Sequence, residues 1–346
     1  MEKKKIVLTG GGTAGHIYPA LAVAEKLKDF EIYYIGGNGM EKDVLKKYPN
    51  IKYFEIPTVK LERKFTLKNL LIPFKLLNSI KKTKKILKKT NPNVIFSKGG
   101  FVSVPVAIAG KKLGVPVISH ESDLSLGLAN KIILRYCKYM CVTFKETQEK
   151  NKKFIYTGQP IREKIFHGKR QNFGFENRPT ILVLGGSLGA KFLNDTIQNH
   201  LDHLSEKYNI LHITGKNNFV EIKHKNYKNF AYAENIEDLY ASCDIAIARA
   251  GSGVINELLA LEKPMLLIPL SKKCSRGDQI ENAKLFTKNG YAQMIEEDNF
   301  NYDVFIKKID KLIKNSEKIK KNMKKTAKND AILKICEILR KNMRQQ

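Results

Sequence analysis

His16 follows Gly10-Gly11-Gly12-Thr13-Ala14-Gly15 and stands at the head of a run with helical spacing that continues through Pro19 to Leu27. A histidine at a helix N-terminus is held toward the neutral imidazole by the helix dipole, so it can accept a proton as a general base. The same turn is written twice. Residues 6–16 align without a gap onto residues 180–190, and in both copies a β-branched apolar run ends in Gly-Gly-(Thr/Ser)-X-Gly. That is how a buried parallel strand turns into a helix whose N-terminal amides face an anion. The copies differ where chemistry would sit, for the first ends in His16 and the second in Ala190.

Other chemistry-bearing clusters also follow apolar runs. Ser97 to Pro105 contains Gly99-Gly100, small enough for backbone to approach a ligand. His120-Glu121-Ser122-Asp123 puts two carboxylates and an imidazole at one edge, with Glu121 as an alternative base to His16. In the second half, Gly251-Ser252-Gly253 makes a tight turn, and Glu257, one helical turn on, can accept two hydroxyls as a ribose offers them. Gly277 to Ala283 opens another helix, where Asp278 and Gln279 could hydrogen-bond a sugar. No Asp-X-Asp occurs, so the usual carboxylate pair for a nucleotide-bound Mg²⁺ is missing, and no metal or cofactor is expected.

The elements that must position these groups alternate. Strand-like runs at Ile6 to Leu8, Ile32 to Ile35, Val94 to Phe96, Val115 to Ile118 and Met140 to Val142 are separated by helical patterns. After a polar stretch from Gly158 to Pro179 the alternation resumes at Ile181 to Leu184, Ile210 to Thr214, Ile245 to Ala248 and Met265 to Ile268. This is an α/β pattern of two Rossmann-like parallel-sheet domains with a cleft between them, and ligands of such sheets bind at the carboxyl ends of the strands. The expected boundaries are 1–160, 161–330 and a C-terminal helix, 331–346, packing back toward the N-terminal domain. A chain of 346 residues with 42% hydrophobic content can bury two cores.

A formal net charge of +28 favours anionic partners such as phosphorylated substrates or a membrane surface. Basic and aromatic residues are not interleaved as in a stacking surface, so no nucleic acid is expected. No apolar run reaches the ~18 residues of a membrane span, and Met1-Glu2-Lys3-Lys4-Lys5 leads straight into the first strand without a secretory segment, so a cytoplasmic location is expected. The five cysteines lack a Cys-X-X-Cys pair and read as reduced thiols. Phe65 to Leu87 mixes Leu, Ile and Phe with many lysines in a helical region broken near Pro73, as core or as a membrane-surface patch.

Gly11-Gly12-Thr13-Ala14-Gly15-His16, His120 to Asp123, Gly158-Gln159-Pro160-Ile161-Arg162, Gly185 to Ala190, Gly251 to Glu257 and Gly277 to Ala283 together resemble the MurG family in order and spacing. The resemblance covers Lys5 to about Ile295. It implies a two-domain GT-B fold and an inverting, metal-independent hexosyltransferase. N-acetylglucosamine would move from UDP-N-acetylglucosamine to the 4-hydroxyl of N-acetylmuramic acid in lipid I, forming lipid II for peptidoglycan. It implies His16 as the base. Donor contacts fall on Thr13, Ala14, Gly15, Asp123, Arg162, Ser187, Ile236, Ser252, Gly253, Val254, Glu257 and Gln279. The first domain becomes the acceptor and membrane side and the second the donor side. Peripheral placement on the cytoplasmic face of the inner membrane follows, with other cell-wall synthesis proteins as further partners. Members often carry Asn in place of Asp123 and Gln in place of Asp278, and an amide donates where a carboxylate does not. A diacylglycerol glycosyltransferase and a UDP-N-acetylglucosamine 2-epimerase are the alternatives.

Overall fold

The computed structural model describes residues 3–58, 72–186, 189–326 and 330–345. The chain divides into two compact units, 1–162 with 330–346, and 163–329.

In the first unit the strands are β1 (Lys4–Thr9), β2 (Phe30–Gly36), β3 (Lys52–Glu55), β4 (Val94–Ser97), β5 (Val117–Glu121), β6 (Tyr139–Val142) and β7 (Phe154–Tyr156). They alternate with α1 (Ala14–Glu25), α2 (Met40–Leu45), α3 (Ile72–Thr90), α4 (Ser103–Lys112), α5 (Leu128–Ile133) and α6 (Lys145–Gln148). The sheet is parallel in the order β3-β2-β1-β4-β5-β6-β7. Strand order reverses between β1 and β4, which makes the ends of those two strands the switch point of the sheet. The first glycine turn and Gly99-Gly100 follow those two strands.

The second unit repeats the plan with β8 (Thr180–Leu184), β9 (Asn209–Ile213), β10 (Tyr227–Phe230), β11 (Ile245–Ala248), β12 (Met265–Leu267) and β13 (Ala292–Met294), in the order β10-β9-β8-β11-β12-β13. Its helices are α7 (Lys191–Asn199), α8 (Leu201–Ser205), α9 (Ile236–Ser242), α10 (Ser252–Ala260), α11 (Asp278–Lys288), α12 (Tyr302–Lys314) and α13 (Ser316–Lys324). The switch point falls between β8 and β11, where the second glycine turn and Gly251 lie.

The chain returns to the first unit in α14 (Ala331–Lys341). Ile332, Ile335 and Leu339 of α14 pack into the core formed by α1 and one face of the first sheet. Burying each such side chain contributes about 1.5–3 kcal/mol. Arg340 closes the contact as a bidentate pair with Asp29, at 2.5 and 2.7 Å, with its guanidinium 5.1 Å from the Phe30 ring centroid. On the opposite face, α3, α4 and α5 cover the sheet. Pro73 sits in the first turn of α3, where its missing N–H costs nothing, so the described helix is unbroken. The part of the basic apolar stretch before Ile72 lies outside the described residues.

Candidate functional site

Each of the three glycines of the first turn is held by a different side chain. The Tyr34 hydroxyl donates to the Gly10 carbonyl at 2.6 Å, His16 Nδ1 lies 2.9 Å from the Gly11 carbonyl, and the Gly12 amide donates to Glu41 Oε2 at 3.2 Å. A carbonyl only accepts, so His16 Nδ1 carries the hydrogen and Nε2 carries the lone pair of the neutral ring. That is the tautomer a base needs. Thr13 caps α1 and its hydroxyl lies 3.2 Å from the same Nδ1. Ala14 and Gly15 form the first helical turn beside it. Gly100 has φ +83°, and a Cβ there would come 2.7 Å from the Gly11 carbonyl and 3.4 Å from His16 Nδ1. Only glycine allows the β4–α4 loop to approach so closely.

At the first turn one of the amides expected to face an external anion is engaged inside the protein. Its Gly12 amide is already spent on Glu41, and Glu41 also accepts from the Gly37 amide at 2.9 Å. An internal carboxylate beneath the turn makes a second anion there less favourable.

Glu121, the alternative base, is engaged within its own loop. Its Oε1 accepts from the amides of Ser122 (2.8 Å) and Asp123 (3.1 Å), and its Oε2 from the Gly127 amide and Asn130 Nδ2, both 2.9 Å. Four donors occupy the lone-pair positions of this buried carboxylate, so Glu121 organises the 121–127 loop. Asp123 is half-buried on that loop. His120 is fully buried, with Nε2 3.0 Å from the Gly158 carbonyl. Burial, aided by the Lys98 ammonium, holds it well below the usual imidazole range. Lys98 is itself buried and donates to the Ser122 hydroxyl, and burial pushes it down to about 8 against the pull of Glu121 and Asp123. Arg162 places its guanidinium 4.4 Å from the ring centroid of Tyr18 on α1, with Nε buried and without a hydrogen-bond partner. The first unit thus gathers Thr13, Ala14, Gly15 and His16 on one turn and Arg162 over the same helix.

In the second unit, Ser187 lies outside the described residues. Gly186 and Gly189 have φ +89° and +76°, and a Cβ on Gly189 would overlap the Thr214 carbonyl at the end of β9. Asn194 Nδ2 donates to that carbonyl at 2.9 Å, and its Oδ1 lies 3.0 Å from Nε2 of the buried His212, held down to about 4 by burial. Ser252, Gly253 and Val254 begin α10, and Glu257 projects from its second turn. The buried Tyr240 donates to Glu257 Oε2 at 2.9 Å and orients the carboxylate. Arg249 ion-pairs with Glu297 and donates to the Ile268 carbonyl at 3.0 Å, tying the end of β11 to the chain after β12. Gln279 Oε1 accepts from the Leu270 amide at 2.9 Å, so what this side chain offers a ligand is its Nε2 donors. Asp278 pairs with Arg276 at 3.2 Å, a local contact at the helix start. Ile236 is the first residue of α9, where backbone amides lack helical partners.

Sequence reasoning missed Glu41, Tyr34, Tyr240 and Asn194. Glu41 had one visible signal, the glycines of Gly36-Gly37-Asn38-Gly39 just before it, after a strand.

Two parallel sheets, each with a glycine turn at its switch point, fit the GT-B type fold. Residues 6–142 match the glycosyltransferase family 28 N-terminal domain and residues 180–335 its C-terminal domain. The chain is 47% identical to the UDP-N-acetylglucosamine--N-acetylmuramyl-(pentapeptide) pyrophosphoryl-undecaprenol N-acetylglucosamine transferase of Clostridium novyi, over 99% of both chains. It is 49% identical to the enzyme of that name from Clostridium tetani, over 90% of both. The chain belongs to this transferase family, the MurG family. The fold is also that of Acinetobacter baumannii MurG (TM-score 0.76, 23% identity, 98% and 99% of the two chains) and of the calicheamicin glycosyltransferase CalG4 (TM-score 0.73, 11% identity, 99% and 98%).

Proposed function

We propose that this glycosyltransferase moves N-acetylglucosamine from UDP-N-acetylglucosamine to the 4-hydroxyl of N-acetylmuramic acid in lipid I, forming lipid II. The acceptor oxygen forms a bond to the anomeric carbon as the bond to the UDP oxygen breaks with inversion. His16 Nε2 takes the hydroxyl proton and the electron pair leaves on the diphosphate. The observation that carries this reading is the His16 Nδ1 contact with the Gly11 carbonyl, which sets the accepting tautomer. The second unit holds the donor: Ile236 through its backbone at the uracil, Glu257 on the ribose, Ser187 and the turn of Ser252, Gly253 and Val254 at the diphosphate, Gln279 on the sugar. Thr13, Ala14, Gly15, Asp123 and Arg162 are the first unit's candidate donor contacts. Amides and helix dipoles stabilise the leaving diphosphate in the role a metal could play.

The acceptor is lipid-linked, and α3 supports docking on an anionic cytoplasmic membrane surface. Phe74 and Leu77 are 71% and 64% exposed beside the exposed Lys75, Lys81, Lys82 and Lys85. Among the described residues no helix is long and apolar enough to cross a membrane. Replacing these four lysines by glutamine lowers turnover of vesicle-bound acceptor and spares a short-chain soluble analogue; equal losses on both overturn the docking. For the reaction, UDP release is measured with and without a lipid I analogue in EDTA, comparing wild type with His16→Ala. Release that depends on acceptor, survives chelation and collapses in the variant is expected. Release without acceptor would overturn the transfer reaction.

A further inference from the structure

Glu41 stands in the first turn of α2 and is 2% exposed. The backbone makes room for it. A Cβ on Gly11 would lie 2.6 Å from Oε1, one on Gly39 3.1 Å from Oε2, and one on Gly36 2.9 Å from its Cγ. Among the described residues no lysine or arginine is ion-paired with it, so its charge is held by the Gly12 and Gly37 amides. A buried carboxylate without a counter-cation is costly, and a neutral side chain would be cheaper if packing were its only role.

The Gly12 N–H that Glu41 accepts and the Gly11 C=O that receives His16 Nδ1–H belong to one peptide group. In a trans peptide these two bonds point in opposite directions, so carboxylate, amide and imidazole form a line. A carboxylate at the N–H end polarises the amide and makes its carbonyl a stronger acceptor. The Gly10 carbonyl, bound by Tyr34, and the close packing of Gly100 keep that peptide from turning.

We propose that Glu41 is a positioning residue for His16. Through the Gly11–Gly12 peptide it holds the Nδ1–H tautomer, aims Nε2 and stabilises the imidazolium formed when the acceptor proton arrives. This rests on the reading of His16 as the base. The other charged or titratable groups packed around the turn are Lys98 from the β4–α4 loop, Tyr34 and Tyr53 beneath it and Arg162 over Tyr18. The Glu41 charge reaches the two tyrosines, since it joins burial in raising both hydroxyls.

The test uses the full chain with lipid I analogue, comparing wild type, Glu41→Gln and His16→Ala. The Gly12 and Gly37 amides reach different oxygens of Glu41, so an amide at position 41 turns an NH₂ donor toward one of them and carries no charge. Glu41→Gln is expected to lower kcat about tenfold or more while KM for UDP-N-acetylglucosamine stays within about twofold. Its acidic limb of kcat should move about half a unit to lower pH, because the imidazolium has lost a nearby negative charge. If His16→Ala stays active, the base reading falls and this proposal with it. If His16→Ala collapses while Glu41→Gln keeps wild-type kcat and acidic limb, only the positioning role falls. Should Glu41→Gln fail to fold, imidazole ¹⁵N spectra of the wild-type chain decide. Hydrogen on Nδ1 of His16 at neutral pH supports the relay, and hydrogen on Nε2 overturns it.

Discussion

The two glycine turns share a sequence pattern and differ in what lies beneath them. Under the first is a buried carboxylate, Glu41, bonded to the turn itself. Under the second is a neutral chain of the Thr214 carbonyl, Asn194 and His212. The turns also diverge in path. Both have a left-handed glycine at the aligned pair Gly12 and Gly186, yet α1 starts at Ala14 whereas α7 starts at Lys191, three aligned positions later. Gly15 is therefore helical and its aligned partner Gly189 is left-handed against β9. A turn whose dipole is met from inside is suited to placing a histidine. One backed by neutral groups leaves the positive end of its helix uncompensated from below, as the proposed diphosphate site requires. One local motif thus serves two kinds of chemistry according to its neighbours.

The largest expected effect breaks the comparison at the aligned pair His16 and Ala190. His16→Ala should lose about 10²–10⁴ in kcat, the usual worth of a general base, with donor affinity retained. Adding Ala190→His should restore nothing, and recovered turnover in the double variant would show the turns to be interchangeable. Next comes the pair of aligned glycines. Gly189→Ala combines a left-handed backbone with overlap on the Thr214 carbonyl and should cost the second unit about 3–4 kcal/mol in urea unfolding. Gly15→Ala, in a helix with nothing closer than Thr13 Oγ1 at 3.8 Å, should leave stability unchanged or raise it by up to ~1 kcal/mol. Equal costs would contradict the different paths. A smaller effect concerns the donor side, where Glu257→Gln should weaken UDP-N-acetylglucosamine binding about tenfold by calorimetry with little change in folding. Loss of kcat at unchanged affinity would move Glu257 out of donor binding.

The smallest effect tests a buried charge next to the first turn, Lys98. Lys98 titrates at about 8 rather than 10.5 because burial disfavours the ammonium. The unfolded chain therefore binds this proton more tightly, and stability is reduced by the full amount below pH 8. Lys98→Met should raise the midpoint of thermal unfolding at pH 7 by a few degrees. The gap should narrow as pH rises from 8 to 10.5, and a gap independent of pH would show that packing rather than charge sets it.

Much of the architecture can be read from runs of consecutive residues. Central strands such as Ile181–Leu184 and Val94–Phe96 are buried on both faces, so they appear as unbroken apolar runs. The strands that escaped notice are β3, β7, β10 and β13, the four edges of the two sheets. Lys52-Tyr53-Phe54-Glu55 and Ala292-Gln293-Met294 are only partly covered there and carry mixed polarity, which resembles loop. At the site, the glycines and His16 are visible because they are contiguous. Glu121 offers only a carboxylate in the same linear reading, and the donors from Gly127 and Asn130 that tie it into its loop come from residues further along.

Consecutive residues therefore settled that strand passes through glycine turn to helix twice, because backbone conformation and apolar periodicity are local properties. Which groups lie under each turn, which nitrogen of His16 faces the Gly11 carbonyl and which amides a carboxylate clasps were decided by packing. Those properties depend on neighbours that meet only when the sheets assemble: Tyr34 and Glu41 from beyond β1, Gly100 from beyond β4, and Thr214 from the end of β9.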